Sequence, residues 1–242
     1  FLRREVDRKA ALTQLLGGVQ PARELDLETE NASVSLKVTQ ASFHRIQDGL
    51  NGLASSMVFW ALLGVSALAL TLGDTVLASA CLLLMACVLG FFLVIWPFGK
   101  LFLGDGGAYF LGFALAWACV LLAERHEQVS AFAALLLCTH PIIEVLYSVF
   151  RRKVRAQHPG HPDRLHFHSL VKRRLMQRLL PSASNTMRNS AAGLLVGSMT
   201  LVPAVLVQFT YTSTLACLLA VAVLFAGYIW LYQRLARFRG AL

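Results

Sequence analysis

Residues 76–96 of this 242-residue chain read VLASACLLLMACVLGFFLVIW, without a single charged side chain. About 20 helical residues are needed to cross the hydrocarbon core of a bilayer. In lipid, a run of this kind can satisfy its backbone hydrogen bonds only as a helix. The stretch therefore predicts a transmembrane helix.

Five further apolar runs flank it, and none contains Lys or Arg: 53–72, 108–123, 130–149, 190–210 and 214–232. Because 108–123 is short, we expect that helix to include Gly106 and Gly107 or to tilt little. The whole chain is 57% hydrophobic and 14% charged, with a mean hydropathy of +0.61, which is unlike a soluble domain. We predict an all-α polytopic integral membrane protein in which 48–242 form about six transmembrane helices after a polar segment, 1–47.

The basic residues predict the orientation of these spans. If six spans alternate in direction, all of the 22 Lys and Arg residues except Arg125 fall on one side. Basic residues accumulate on the cytoplasmic side of membranes, so both termini, the connection before 108–123 and the loop 150–189 are predicted to be cytoplasmic. The net charge is +9, and the basic residues that produce it lie between apolar runs. This location favours phosphate or anionic lipid over nucleic acid as a partner.

Two polar stretches on that side carry acidic residues, HRIQDGLNGLA at 44–54 and GKLFLGDGGAYFLGF at 99–113. Asp48 and Asn51 are three residues apart and share a helical face, and the glycines around Asp105 let the backbone approach a ligand closely. Taken alone, Asp48 and Asn51 are better explained as a helix cap, and a cap is an alternative interpretation of Asp105 as well. Two acidic sites on one membrane face favour Mg²⁺, which is held by one or two carboxylates and completed by phosphates and water.

Glu144 stands in the apolar run 130–149, within HPIIEVLY at 140–147. Ionisable groups inside a membrane are costly and mark functional sites by default. The alternative is a Glu144 that reaches toward the loop or pairs with one of its arginines. Pro141 predicts a bend in the same helix.

Four histidines lie among basic residues in RRKVRAQHPGHPDRLHFHSLVKRR, residues 151–174: His158, His161, His166 and His168. Zinc is one interpretation, but no Cys accompanies them and the surrounding cations oppose a metal. Basic residues such as Arg151 and Arg152, together with His, are better suited to gripping phosphate oxygens. Simple attraction to anionic lipid explains the basic residues but not the closely spaced His166 and His168.

Taken together, DGLNGLA, PxGxxFLGDGGxYFLGF, PxxE and PDRLHFHSL resemble the motifs of the polyprenyl-phosphate N-acetylhexosamine-1-phosphate transferases. The bacterial undecaprenyl-phosphate GlcNAc-1-phosphate branch is the most similar. The resemblance runs from about residue 46 to the C-terminus, with the order and spacing of the motifs intact.

The resemblance implies an enzyme of the bacterial inner membrane. It would transfer a sugar-1-phosphate from a UDP-sugar to undecaprenyl phosphate for cell-envelope polysaccharide, releasing UMP, with Mg²⁺ (Mn²⁺ as an alternative) held by Asp105 and Asp48. By residue, it implies catalytic roles for Asp48, Asp105, His166 and His168, and substrate-binding roles for Asn51, Glu144, Arg164, Arg151 and Arg152.

Other hypotheses stay open at this point. The family carries an adjacent Asp-Asp pair in a further cytoplasmic loop, and this chain has no such pair, so a catalytically inactive membrane fragment is one alternative. A membrane transporter is another, but it would need ionisable groups spread through the depth of the membrane. A homodimer is compatible with either class of function.

Overall fold

The computed structural model describes residues 50–154 and 165–237, apart from the side chain of Asp105. The predicted segment 1–47 and Asp48, His158, His161 and Arg164 lie outside the described residues. In chain order the elements are α1 (Leu53–Thr71), α2 (Thr75–Ile95), α3 (Gly104–Arg125), α4 (Ala131–Leu137), α5 (Thr139–Val154), α6 (Phe167–Leu170), a π-helical turn (Val171–Met176), α7 (Gln177–Leu179), α8 (Asn185–Ser198), α9 (Leu201–Thr210) and α10 (Thr214–Arg237).

The predicted all-α polytopic membrane fold is confirmed. In the described part of the chain, five helices are long and apolar enough to cross a membrane, or six if the bent pair α4–α5 is one span. The pair α8–α9 counts among the five, as a span from Asn185 to Thr210. Helix α3 begins at Gly104 and so includes Gly106 and Gly107, as expected. Which end of the bundle faces the cytoplasm stays a prediction.

The bend in the fourth predicted span lies one turn before Pro141. Helices α4 and α5 meet at 73° across Cys138. A proline inside a helix cannot donate to the carbonyl four residues earlier and clashes with it. For Pro141 that carbonyl belongs to Leu137, so α4 ends there and Pro141 falls in the first turn of α5, where its missing N–H is tolerated.

The chain order of the helices defines two ends of the bundle. The turns 72–74, 126–130 and 211–213 form one, the Asp74 end, where the Ser130 N–H donates to the Tyr211 carbonyl at 2.8 Å. The other, the His168 end, holds the starts of α1, α3 and α8, the last turns of α5 and α10, and the helical segment 167–179. All predicted site residues that the structure describes belong to elements of the His168 end.

Small residues let the helices approach closely, as is usual between helices in lipid. A Cβ at Gly193 would lie 2.4 Å from the Asn51 carbonyl oxygen, and one at Gly197 would lie 1.7 Å from the Ser56 Oγ. These two glycines are one helical turn apart, so together they form the face on which the start of α1 rests. A buried apolar cluster then joins this contact to α5, α6 and α10, through Leu50, Ile143, Phe167 and Tyr228 among others.

Candidate functional site

Glu144, His166 and His168 meet at the His168 end. The Nδ1 of His168 lies 2.8 Å from Glu144 Oε1, and the Nδ1 of His166 lies 3.7 Å from the same oxygen. The two imidazole rings stack with centroids 5.2 Å apart and planes inclined by 9°. All three side chains are partly buried, at 13% exposure for Glu144 and 22% for His168. One carboxylate oxygen thus aligns two histidines that are far from it in sequence.

The local sequence explains how the histidines reach Glu144. Phe167, which stands between them, is 1% exposed and packs in the apolar cluster of the His168 end. Burying this ring anchors the start of α6 and directs both neighbouring histidines to Glu144 on α5. On α5, Glu144 comes one turn after Pro141, beyond the bend. Within the described residues, Glu144 therefore contacts two histidines of the predicted loop 150–189, and neither alternative for Glu144 had named a histidine partner.

Arg151 stabilises the backbone at Leu165, immediately before the histidines of this cluster. Its guanidinium donates to the Leu165 carbonyl and to the Tyr232 hydroxyl, both at 3.0 Å, and to Ser148 Oγ at 3.3 Å. The Tyr232 hydroxyl donates in turn to the Leu165 carbonyl at 2.9 Å. Arg151 is buried, so these contacts fix the backbone immediately before His166. Its predicted substrate-binding role stays a prediction, as does that of the half-buried Arg152 at the next position.

His140 is a site residue that the sequence reasoning missed. It precedes Glu144 by one turn of α5 and is 6% exposed. Its Nε2 is buried and forms no hydrogen bond with any residue of 50–154 or 165–237. Buried polar atoms are normally hydrogen-bonded, so His140 offers an atom that a ligand or water can satisfy. The sequence feature that could have identified His140 is its spacing of four residues from Glu144, which places both residues on one helical face.

Asn51 takes part in a polar contact that joins three parts of the chain. Its Nδ2 donates to Ser190 Oγ at 3.1 Å, and that hydroxyl donates to the Pro97 carbonyl. Trp96 Nε1 donates to the Ser190 carbonyl at 3.1 Å. Gly99, whose φ is +63°, leaves no room for a side chain beside the Asn51 amide. These contacts fix the connection that leads from α2 to Asp105.

Asp105 is the second residue of α3, after the left-handed Gly104 with φ of +66°. The backbone places it at the His168 end, with its side chain outside the described part. Its approach to Asp48, and that of Arg164 to the histidines, stays a prediction. For Mg²⁺, the two aspartates supply the oxygen ligands that this ion prefers. Glu144, His166 and His168 have donor atoms within 4.8 Å of one another, but this mainly nitrogen set suits Mg²⁺ less well.

Comparison with protein families finds a match to the first part of the chain. Residues 36–123 match the model of glycosyl transferase family 4. This segment, called the family 4 segment below, is similar to the family 4 glycosyl transferases. It contains Asp48, Asn51 and Asp105, and the family resemblance inferred from the motifs is confirmed over these residues.

Curated relatives of the family 4 segment agree with the match. A probable undecaprenyl-phosphate N-acetylglucosaminyl 1-phosphate transferase of Bacillus subtilis is 29% identical over 50% of this chain and 34% of its own length. Undecaprenyl-phosphate alpha-N-acetylglucosaminyl 1-phosphate transferases of Haemophilus influenzae and Escherichia coli are 33% and 25% identical, over 32% and 52% of this chain. The aligned parts span 23% and 36% of those two relatives. No solved structure matches the chain.

Proposed function

We propose that this chain is part of a membrane enzyme that transfers a sugar-1-phosphate, namely N-acetylhexosamine-1-phosphate, from a UDP-sugar to undecaprenyl phosphate. The products would be UMP and a lipid-linked sugar for cell-envelope polysaccharide. The observation that carries the proposal is the pairing of Glu144 with His166 and His168 at the end of the bundle where the family 4 segment presents Asp105. The site would face the cytoplasm from the inner membrane.

The location of the cluster suits the two substrates. A polyprenyl phosphate is confined to the bilayer and a UDP-sugar to water, so their phosphates meet only at the membrane surface. His166 and His168 lie outside the candidate spans, and they meet Glu144 on α5, the half of the bent pair α4–α5 that leads to the His168 end. Transfer of a phosphoryl group depends chiefly on positioning and on charge neutralisation, both of which this end of the bundle offers.

The hydrogen bond to Glu144 determines how His168 can act. A carboxylate oxygen accepts hydrogen bonds and does not donate them, so Nδ1 of His168 carries a proton. The Nε2 edge then remains to contact a phosphate oxygen of the nucleotide. His166, stacked on His168, would contact the same diphosphate. Glu144 would act as a positioning residue for the histidines, and Arg151 would hold the backbone in front of them.

Asp105 and Asp48 would hold Mg²⁺, or Mn²⁺ in its place. When bound, such an ion neutralises charge on the pyrophosphate oxygens. The aspartates fit this role because carboxylate oxygens are hard ligands, and the glycines on both sides of Asp105 leave space for a phosphate beside the backbone.

Replacing Asp105 with Asn tests the proposal. We expect the release of UMP from a UDP-sugar, in membranes supplied with undecaprenyl phosphate, to fall by at least about 100-fold, since one preorganised electrostatic group typically contributes that much. Asp74→Asn is the matched control, because it removes a carboxylate at the other end of the bundle. Wild-type turnover by Asp105→Asn would refute the role of Asp105. No UMP release by the unmodified purified chain would instead favour an inactive fragment.

A further inference from the structure

Glu144, His166 and His168 together form a set of potential metal ligands. Each offers one donor atom, and these three atoms all lie within 4.8 Å of one another. Two imidazole nitrogens and one carboxylate oxygen are the protein ligands of a known class of catalytic zinc sites. Imidazole nitrogen also favours zinc and other transition metals over Mg²⁺. We call these three residues the Glu144 triad.

The distances between the donor atoms suit a zinc ion. Zinc binds histidine nitrogen at about 2.0–2.1 Å and carboxylate oxygen at about 2.0–2.2 Å, so tetrahedral ligands lie roughly 3.3 Å apart. The Nδ1 of His168 lies 2.8 Å from Glu144 Oε1, and the Nδ1 of His166 lies 3.7 Å from it. One distance is shorter and the other longer than the tetrahedral value. Shifts of about 0.5 Å would bring both nitrogens to that distance from Oε1.

The carboxylate of Glu144 keeps its negative charge available for a cation. In the described part of the chain, no Lys or Arg forms an ion pair with it. Arg151 contacts the Leu165 carbonyl and the Tyr232 hydroxyl instead. The surrounding cations, which oppose zinc when the sequence alone is considered, therefore do not occupy this ligand. Glu144 also supplies the third ligand that the two histidines lack in the loop sequence.

His140 gives a second, independent reason to expect a ligand here. It precedes Glu144 by one turn on the same face of α5 and is 6% exposed. Its buried Nε2 forms no hydrogen bond with any described residue, although buried polar atoms are normally hydrogen-bonded. A zinc ion with three protein ligands keeps a fourth position for water. Such a water can supply the hydrogen bond that His140 lacks.

We propose that the Glu144 triad binds Zn²⁺, with water in the fourth position. A coordinated nitrogen must be deprotonated, so the ion would replace the proton between His168 Nδ1 and Glu144, and that proton would be released to water. The ion would also join α5 to the start of α6. This site is separate from the Mg²⁺ ligands proposed above. Zinc binding does not depend on the transferase activity, and its test does not measure that activity.

The test measures the binding of Co²⁺, a coloured substitute for Zn²⁺, to the purified full chain. The chain is stripped with a chelator and kept in detergent with excess Mg²⁺, which occupies oxygen-ligand sites. We expect about one Co²⁺ per chain by visible absorption, displaced by Zn²⁺ but not by further Mg²⁺.

Three variants test the ligands. His166→Ala and His168→Ala should each weaken Co²⁺ binding by at least about 10-fold, since losing even a residue that only supports a metal ligand costs that much. Glu144→Gln still accepts a hydrogen bond from His168 but loses the charge, so it should weaken Co²⁺ binding as well. Zn²⁺ should raise the Tm of the unmodified chain and leave that of His168→Ala unchanged. If an alanine variant fails to fold, His168→Gln takes its place.

His126→Ala is the matched control. His126 Nε2 also lies near a carboxylate, 3.3 Å from Asp74 Oδ2, but at the other end of the bundle and without a second histidine. This variant should bind Co²⁺ like the unmodified chain, and so should the double variant His158→Ala/His161→Ala.

Four results would overturn the proposal. They are the absence of Co²⁺ binding by the unmodified chain, displacement of Co²⁺ by Mg²⁺, unchanged binding in Glu144→Gln, and a loss in either control as large as in His168→Ala.

Discussion

Asp74 and Glu144 each contact histidine, at opposite ends of the same bundle, but they are engaged in different ways. Asp74 Oδ1 accepts the Leu77 N–H at 3.0 Å and so caps α2. Its Oδ2 lies 3.2 Å from Arg125 Nε and 3.3 Å from His126 Nε2. Both oxygens are therefore occupied by groups that join the turn before α2 to the end of α3.

Glu144 caps no helix. Its Oε1 contacts two imidazoles, and within 50–154 and 165–237 its Oε2 has no hydrogen-bond or ion-pair partner. The buried Nε2 of His140, one turn away, is likewise without a hydrogen bond in those ranges. The comparison shows two roles for a carboxylate next to histidine. When a backbone N–H and an arginine occupy both of its oxygens, the carboxylate stabilises the fold. When one oxygen and a neighbouring buried nitrogen have no hydrogen bond within the described residues, it is a candidate binding site.

The largest effect is expected at Glu144, and it rests on the proposed transferase activity. Glu144→Ala removes the group that orients His168, so kcat/KM for UMP release should fall about 10–100-fold, as when a carboxylate that orients a functional histidine is lost. Steady-state kinetics in membranes with matched expression would measure it.

Glu144→Gln separates orientation from mere packing. Its amide oxygen still accepts the proton of His168 Nδ1, so this variant should retain clearly more activity than Glu144→Ala. If both variants were as active as the unmodified chain, the contrast between the two carboxylates would be wrong, because Glu144 would then have no more of a role in activity than Asp74.

An intermediate effect, on stability alone, is expected at Asp74. Asp74→Ala removes the cap of α2 and the contacts with Arg125 and His126, which should cost about 1–2 kcal/mol of unfolding free energy. Thermal unfolding in detergent would show a lower Tm, with UMP release per folded molecule unchanged. Asp74→Ser keeps a capping oxygen and should recover most of the loss. A fall in activity without a fall in Tm would contradict the structural role.

The smallest effect is expected in the pH dependence of the stability that Asp74 contributes. The hydrogen bond from the Leu77 N–H holds the pKa of Asp74 below its ordinary value of 3.8, against the opposing effect of burial, and His126 and Arg125 act in the same direction as Leu77. A lowered pKa means that the stabilisation is complete above pH 3.8 and is lost as the pH falls further. The Tm difference between the unmodified chain and Asp74→Ala should therefore shrink as the pH falls from about 5 to about 3. A difference that grows between about pH 5 and pH 3 would contradict this sign.

The sequence predicted much of the fold because the apolar runs are unambiguous. The run 76–96 became α2, and 53–72 became α1 almost without change. The sequence predicted a bend at Pro141, whereas the helix breaks one turn earlier, at Cys138. The reason is that a proline disrupts the helical turn that precedes it. At the site, the motif pattern selected Glu144, His166 and His168. It did not reveal their shared oxygen, the anchoring of Arg151 by Tyr232, or His140, since these depend on contacts between helices distant in the chain.

By itself, the sequence determined that the chain is helical and spans a membrane, because the free energy of transferring long uncharged runs into lipid depends on composition and length alone. It also determined the family of residues 36–123, through motifs that are local in the chain. Only the tertiary structure decided which carboxylate meets which histidine. Asp74 stands beside an apolar run and Glu144 inside one, and helix packing brings Arg125 to the first and His168 to the second.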